Sequence, residues 1–384
     1  MKDLVGVALK LHTHIVDKHW NGQALFGPDP GVRYNYRIFR FLKSYLRNIS
    51  WNDDMYYLQA QSYWSIGNWA LFTLTGDNKY RQIAVSCSEY VLERQRDDGA
   101  WDYPNPEWKG RTATVEGTWA ALGLLETYRH TKHSIFLDGA LRWHKYMIDV
   151  VGFQKMGDEL AVNYFANMGT VRVTNNSTTV LSFLAELADA TGDETYLEHR
   201  TGLINFIQRV QMPSGELPYG VGGESNPTYS REHFQCYQYN AFECLSLLKY
   251  YELTQDEAIV PTITNLLSYL SEGVAEDGHA YYNCDKPLRT VTYHATALAA
   301  TFVQAKRLGF SSYDKLTERA YGYVLSQQKK DGFVHSRRDY GVLSDQRSYP
   351  RYLSMIMYHL LFPTLQDAET SSEREQLVTE TVSV

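Results

Sequence analysis

The sequence predicts an all-α fold, an (α/α)6 toroid of helix pairs about 58 residues long, and three observations predict it. A short phrase recurs: Gln95-Arg-Asp-Asp-Gly99-Ala-Trp101, Met212-Pro-Ser-Gly215-Glu-Leu-Pro-Tyr219, Glu276-Asp-Gly278-His-Ala-Tyr-Tyr282 and Gln328-Lys-Lys-Asp-Gly332-Phe-Val, with a weaker copy at Lys155-Met-Gly157-Asp-Glu-Leu. The glycines at 99, 157, 215, 278 and 332 stand 58, 58, 63 and 54 residues apart. The stretch before a phrase is amphipathic at helical spacing, and the stretch after it is small and apolar nearly all the way round.

Taken in order, Lys2–Lys18 reads as an extra N-terminal helix, giving residues 1–19 as an appendage. Tyr34–Ile49 is the first amphipathic helix and Met55–Leu74 its buried partner. Tyr80–Arg96, Tyr196–Val210 and Tyr313–Gln328 are further amphipathic helices with one wet face. Glu116–Tyr128, Asn176–Ala190, Phe234–Tyr251, His294–Ala305 and Tyr349–Leu361 are apolar on most sides and must be enclosed. The Asp-Gly phrase is the turn that leaves each outer helix, with Gly taking the left-handed position. Six amphipathic and six buried helices can cover one another only by closing on themselves, since each pair buries its apolar face against its neighbours. An open solenoid would need polar capping faces at both ends, and no such pair stands out. The reading is one toroid domain over residues 20–362, with 363–384, rich in Glu, Ser and Thr, as a disordered tail.

Composition narrows the function. The chain of 384 residues carries 44 acidic and 37 basic side chains, a net charge of −7. Without a basic run it lacks the electrostatic footprint that phosphate neutralisation requires, which excludes nucleic acid as a partner. No apolar stretch approaches a membrane span, and Met1–His19 is interrupted by Lys, His and Asp, unlike a signal peptide. The expectation is a cytoplasmic protein. Cys87, Cys236, Cys244 and Cys284 have no zinc-finger spacing and are too few to staple so long a chain, so reduced thiols and no cofactor are expected. Of the thirty tyrosines and eight tryptophans, most fill helix interfaces, and only the small share at the entries to the inner helices bears on function.

In a ring of this kind, the connections leading into the inner helices converge on one mouth. The residues there are polar and aromatic: Trp51-Asn-Asp53-Asp54, Arg111-Thr-Ala-Thr-Val-Glu116-Gly-Thr-Trp119, Arg172-Val-Thr-Asn175-Asn176, His233-Phe-Gln-Cys236-Tyr237-Gln-Tyr239, Thr292-Tyr293-His294 and Arg347-Ser-Tyr349-Pro-Arg351. Asp54 and Glu116 are the candidate catalytic carboxylates, and His294 is a candidate acid or base titrating near neutrality. Each has a plainer reading: Asp54 as a helix cap, Asn176 likewise, Glu116 as a partner of the helix dipole, His294 as a hydrogen-bonded core residue. Asp53, Arg111, Trp119, Asn176, Tyr237, Tyr239, Tyr293 and Arg351 are candidates for holding substrate. Tyr and Trp present an apolar face with a polar handle, which suits a sugar ring, and Arg offers a planar fork for a carboxylate. Paired carboxylates would serve glycoside hydrolysis; a His, Tyr and Arg cleft would serve proton abstraction beside a uronic carboxylate, leading to elimination or epimerisation.

The phrase Gln95-x-x-x-Gly99-x-Trp101 resembles the repeat signature of terpenoid cyclases and the prenyltransferase and squalene-oxidase repeat proteins, which share an α/α toroid. Their acidic motifs are not matched: Asn52-Asp53-Asp54 lacks the first Asp of Asp-x-Asp-Asp, and Tyr57 replaces the last Asp of Asp-Asp-x-x-Asp. Cys236 followed by Tyr293-His294 is similar to the zinc ligands of protein prenyltransferase β subunits, with Phe234 where their carboxylate stands. The toroid also resembles six-hairpin glycosidase-like proteins: unsaturated glucuronyl hydrolases, polysaccharide lyases, sugar epimerases and helical proteins of surface-glycan or N-glycan assembly. That resemblance implies a carbohydrate-active protein working on an acidic oligosaccharide or glycan precursor. The two other readings are an isoprenoid-handling enzyme, which requires an apolar central cavity, and a helical scaffold, which requires no convergence of polar groups.

Overall fold

A computed structural model describes residues 3–29, 54–104, 108, 110–166, 168–228, 231–283, 289–334, 337–339, 343–345 and 347–365. Among the described residues, six helices form an inner ring: α2 (Leu58–Thr75), α4 (Thr114–Thr131), α6 (Thr174–Thr191), α8 (Cys236–Thr254), α10 (Thr292–Arg307) and α12 (350–365). Six surround them: α1 (Leu4–His19), α3 (Asn78–Glu93), α5 (Ser134–Tyr146), α7 (Arg200–Val210), α9 (Val260–Ser271) and α11 (Asp314–Gln327). The (α/α)6 toroid is therefore what the residues build. From Thr292 to Phe302 every residue of α10 is buried, as its Ala- and Thr-rich sequence demands. Helix α7 instead buries only Leu203, Ile204, Phe206, Ile207 and Val210, one stripe at helical spacing.

The repeated phrase has a specific structural use. Gly99, Gly215, Gly278 and Gly332 have φ between 84° and 93°. A Cβ on them would also lie 2.1–2.4 Å from a backbone carbonyl of the following outer helix, at Arg142, Asn265, Arg319 and Lys10 respectively. Only glycine satisfies both demands. The leading Gln binds the same two partners: Gln95 Nε2 donates to the carbonyls of Gly99 and Gly139, Gln211 to those of Gly215 and Thr262, and Gln328 to those of Gly332 and Val7. Gly157 is different, its Cβ position open to solvent, because it turns the hairpin of β1 (Phe153–Met156) and β2 (Glu159–Val162). That is why its copy of the phrase is weak.

Lys10 and Val7 belong to α1, so the sequence reading of Lys2–Lys18 as an extra helix is corrected. Helix α1 follows α11 in the outer ring as α5 follows α3, and Leu4, Ala8, Leu11 and Ile15 are buried in the common core. The amphipathic helix read at Tyr34–Ile49 and the tail 366–384 lie outside the described residues. Ring closure is visible inside as well, where the Cβ of a residue at Gly67 in α2 would strike Met357 of α12, and Tyr63 lies 6.0 Å from Tyr358.

The two ends of the ring differ. Four inner helices pass to the next helical segment through a two-residue turn, while six residues separate α10 from α11. Thr75, Thr131, Thr191 and Thr254 each bond back into their own helix and accept the amide of residue 77, 133, 193 or 256. Asp77, Asp193 and Asp256 then cap the next helical segment. The return connections are long and carry the strands of the described residues: the β1–β2 hairpin, β3 (Val171–Val173) antiparallel to β4 (Gly220–Gly222), and β5 (Arg289–Val291) with β6 (Arg337–Asp339) and β7 (Leu343–Ser344). Strands β3 and β5 run directly into α6 and α10, and so the strands build the wall of the mouth. Among the described residues, no helix is long and apolar enough to cross a membrane.

Candidate functional site

The first turns of the inner helices meet at this mouth. Glu116, in the first turn of α4, is buried, and its Oε2 accepts the backbone amide of Gln59 at the start of α2 (3.1 Å). Helix α2 has no side-chain cap of its own, so a residue from the neighbouring inner helix supplies one. Burial raises the Glu116 carboxyl to about 7, against the pull of Arg351 and the backbone amides of α2. Arg351, in the first turn of α12, forks onto Asp29, with Nε 2.7 Å and Nη2 2.8 Å from its two oxygens, and donates Nη1 to Gln59 Oε1 at 3.2 Å. Its guanidinium also lies over Tyr57 (4.9 Å) and Tyr352 (5.4 Å).

Tyrosines surround this pair. Tyr57 meets Tyr103 edge to face at 6.1 Å, and Tyr103 is hydrogen-bonded to Tyr164. Tyr293 packs 4.0 Å from Tyr352, and Tyr239 lies 4.8 Å from Tyr219 while sharing electrostatic coupling with Arg351, Tyr352 and Tyr282. Burial pushes the phenols of Tyr57, Tyr103, Tyr164, Tyr239 and Tyr293 upward, so all stay protonated at neutral pH and act as hydrogen-bond donors. The part of the tyrosine excess that bears on function is this group.

Other predicted residues divide. Asn176 is buried at the start of α6 with neither amide atom partnered, which is not the geometry of a cap. His294 is fully buried, stacked on Tyr282 at 5.7 Å, and both ring nitrogens lack a partner. Burial lowers it to about 3, so it is a neutral imidazole and not the near-neutral acid or base expected. Arg111 is exposed and stacks over Trp108 and Phe165, lining an open cavity of about 560 Å³ beside the mouth with Thr112, Gly169 and Ser225. Asp54 is exposed on the loop before α2, outside the group around Glu116, and Asp53 lies outside the described residues.

Trp119 and Tyr237 do not face the mouth. Trp119 is more than a turn into α4 and packs 4.5 Å from Tyr63, and Tyr237 points outward to stack on Tyr269 of α9 at 4.9 Å. Trp119 lines a second cavity, of about 480 Å³, enclosed by the C-terminal halves of the inner helices. Its charged groups satisfy one another: Arg129 binds Glu186 at 2.7 Å, Lys249 binds Glu252 at 3.2 Å, and Arg307 also binds Glu252. The mouth, with its titratable and unpartnered groups, is the better candidate for chemistry. Sequence reasoning missed Asp29, Gln59, Tyr103 and Tyr164, which lie on loops or reach the mouth from distant parts of the chain. Among the described residues, one group offers metal-binding chemistry, Glu216, His233 and Cys236; His294 is not part of it.

The family described as the Ulvan lyase N-terminal domain matches residues 69–283, just over half of the chain. Among solved structures, a cellobiose 2-epimerase from Bacillus thermoamylovorans is similar at TM-score 0.72 and 14% identity, covering 93% of this chain and 98% of its own. A possible member of the GH105 family from Salmonella enterica is similar at 0.69 and 13% identity, with 95% and 94% covered. A polysaccharide lyase is similar at 0.66 and 10% identity, with 96% and 98% covered. At such identities these structures speak for the fold alone. No curated protein matches the sequence.

Proposed function

The chain belongs to the Ulvan lyase N-terminal domain family, and we propose that this carbohydrate-active protein cleaves an acidic glycan by elimination at a uronic acid unit. The observation that carries the reading is Glu116, an enclosed carboxyl raised to about 7 among protonated tyrosines and beside Arg351. Elimination needs a base for the proton next to the uronic carboxylate, positive or hydrogen-bonding groups that stabilise the carbanion-like charge on that carboxylate, and an acid for the leaving oxygen. In this reading Glu116 takes the C5 proton, the electron pair forms the C4–C5 double bond as the C4–O bond breaks, and a buried phenol protonates the departing oxygen. Arg351 and the free amide of Asn176 face the uronate carboxylate, while Tyr239 and Tyr293 hold the sugar face.

Hydrolysis is disfavoured because it requires two working carboxylates. Among the described residues Asp29 is already engaged by Arg351 and Asp54 is exposed away from Glu116. An isoprenoid reading requires an apolar mouth, unlike this one. Elimination breaks glycans down, so an assembly role recedes; the thiols of Cys87, Cys236 and Cys244, none in a disulfide, support a cytoplasmic site of action on oligosaccharides.

Purified protein incubated with uronate-bearing polysaccharides, ulvan among them, tests the reading. Elimination creates an unsaturated uronate that absorbs in the near ultraviolet together with each new reducing end. Hydrolysis would give reducing ends without the chromophore, and epimerisation would give neither. Glu116→Gln should lower turnover by about 10²–10⁴-fold, the usual contribution of a general base. Turnover unchanged in that variant would remove Glu116 from the mechanism.

A further inference from the structure

Where α7 hands over to α8, three different metal-binding side chains converge. Glu216 follows the Gly215 turn, His233 and Cys236 flank the start of α8, and one donor atom from each lies within 4.8 Å of the others. His233 Nδ1 is 2.8 Å from Glu216 Oε1. The scaffold is firm. The Met212 amide closes the turn onto the Glu216 carbonyl, the Tyr219 amide donates to the Glu232 carbonyl, and the Glu232 amide donates to the Gly220 carbonyl. Asn240, one turn beyond Cys236, clamps Leu217 through both its amide atoms, at 2.7 and 2.9 Å.

A second observation, an unpartnered buried carboxyl, lies in the same corner. Glu243 lies on the same face of α8, one turn past Asn240, wholly buried, with neither carboxylate oxygen partnered. Burial, and Glu216 nearby, raise its carboxyl well above the usual range. Two enclosed carboxyl groups thus share a corner with one imidazole as the only basic group that pairs with either among the described contacts.

We propose that Glu216, His233 and Cys236 form a binding site for a zinc-class divalent transition metal ion. Thiolate, imidazole and carboxylate together select such an ion over calcium or magnesium, whose ligands are oxygens. Ligand bonds of about 2.0–2.3 Å require only that the three side chains draw together. Cys236 opens α8, where the helix dipole favours a thiolate, and binding releases its proton to solvent. The His233 side chain is 43% exposed, which gives the ion a way in and leaves a fourth position toward solvent. Glu243 becomes the outer carboxyl whose unsatisfied oxygens answer the added charge. The site stands beside the mouth and does not depend on the lyase reading.

The test uses the full chain stripped with chelator and titrated with Co²⁺, then with Zn²⁺ as competitor. The expected result is one equivalent bound, with a thiolate-to-cobalt charge-transfer band in the near ultraviolet that Zn²⁺ abolishes. Cys236→Ser should lose the band, and His233→Ala, a change at a part-exposed ring, should weaken binding at least tenfold while leaving the far-ultraviolet circular dichroism unchanged. Absence of stoichiometric cobalt binding by the wild type overturns the proposal, as does a band that survives Cys236→Ser. Should Cys236→Ser fail to fold, unaltered affinity in His233→Ala overturns it equally.

Discussion

Glu116 has two jobs that pull against each other. Its carboxylate caps α2, which favours the charged form, yet its enclosure favours the neutral one, and enclosure wins. With a folded value of about 7 against 4.5 for the free side chain, the native state binds the extra proton between those limits. Stability contributed by this group is therefore lost as pH rises from about 4.5 to 7. His12, His19, His294 and His359 work the other way: burial lowers them to about 4, 4, 3 and 3, so the unfolded chain takes up their protons first and acid destabilises the fold. Four such groups outweigh one, and the wild type should lose stability from pH 7 to 5. Glu116→Gln, which deletes the opposing contribution, should make that loss steeper. Urea unfolding of both proteins at pH 5 and 7.5 should show the wild type gaining on the variant at the lower pH, by at most on the order of 3 kcal/mol. A difference that does not change with pH would mean that Glu116 titrates normally.

At the scale of the element, the outer-helix turn can be tested by comparing two glycines that the sequence makes look alike. Gly215 has φ 93° and no room, since a Cβ would meet the Asn265 carbonyl at 2.2 Å; Gly157 has φ 65° and open space. Gly157→Ala should cost about 1–2 kcal/mol, the penalty of a left-handed residue with a side chain. Gly215→Ala must in addition push α9 away, and its midpoint in urea should fall at least twice as far as that of Gly157→Ala. Equal losses would show that the turn is governed by φ alone. The phrase was legible because Gln and Gly act within five residues of each other, and the inner helices because burial on all sides is written into their composition. What was not legible depends on distance or on phase. Arg351 finds Asp29 322 residues away in sequence, and nothing near either residue signals the match. Trp119 and Tyr237 sit in segments that lead to the mouth, yet Trp119, on the same face of α4 as Glu116, lies a turn deeper and lines the inner cavity, while the helical rotation between Tyr237 and Tyr239 turns Tyr237 outward onto Tyr269.

The whole ring depends on a contact between its first and last outer helices. Gln328 Nε2 reaches the Val7 carbonyl and Gly332 lies against the Lys10 carbonyl, the same arrangement that joins α3 to α5 and α7 to α9. Helix α1 also bonds inward: His12 Nε2 binds Asn68 of α2 at 2.9 Å and its ring stacks 4.7 Å from Trp64, while His14 and His19 both bind Ser348 just before α12. It therefore touches both ends of the inner ring. In an open repeat array, removing a terminal helix trims one end and leaves the other repeats nearly intact, because each contacts only its neighbours. In a closed ring the same removal uncovers α2, α11 and α12 together and leaves Trp64 and the edge of the core in water. A chain beginning at residue 20 should accordingly lose its single cooperative unfolding transition and bind a hydrophobic dye, and the mouth should fail with it, since Ser348 lies three residues from Arg351. A peptide of residues 1–19 added in excess should restore part of the transition. Were the shortened chain to unfold at the same urea midpoint as the full one, α1 would be an appendage after all and closure would have to rest on the inner helices alone.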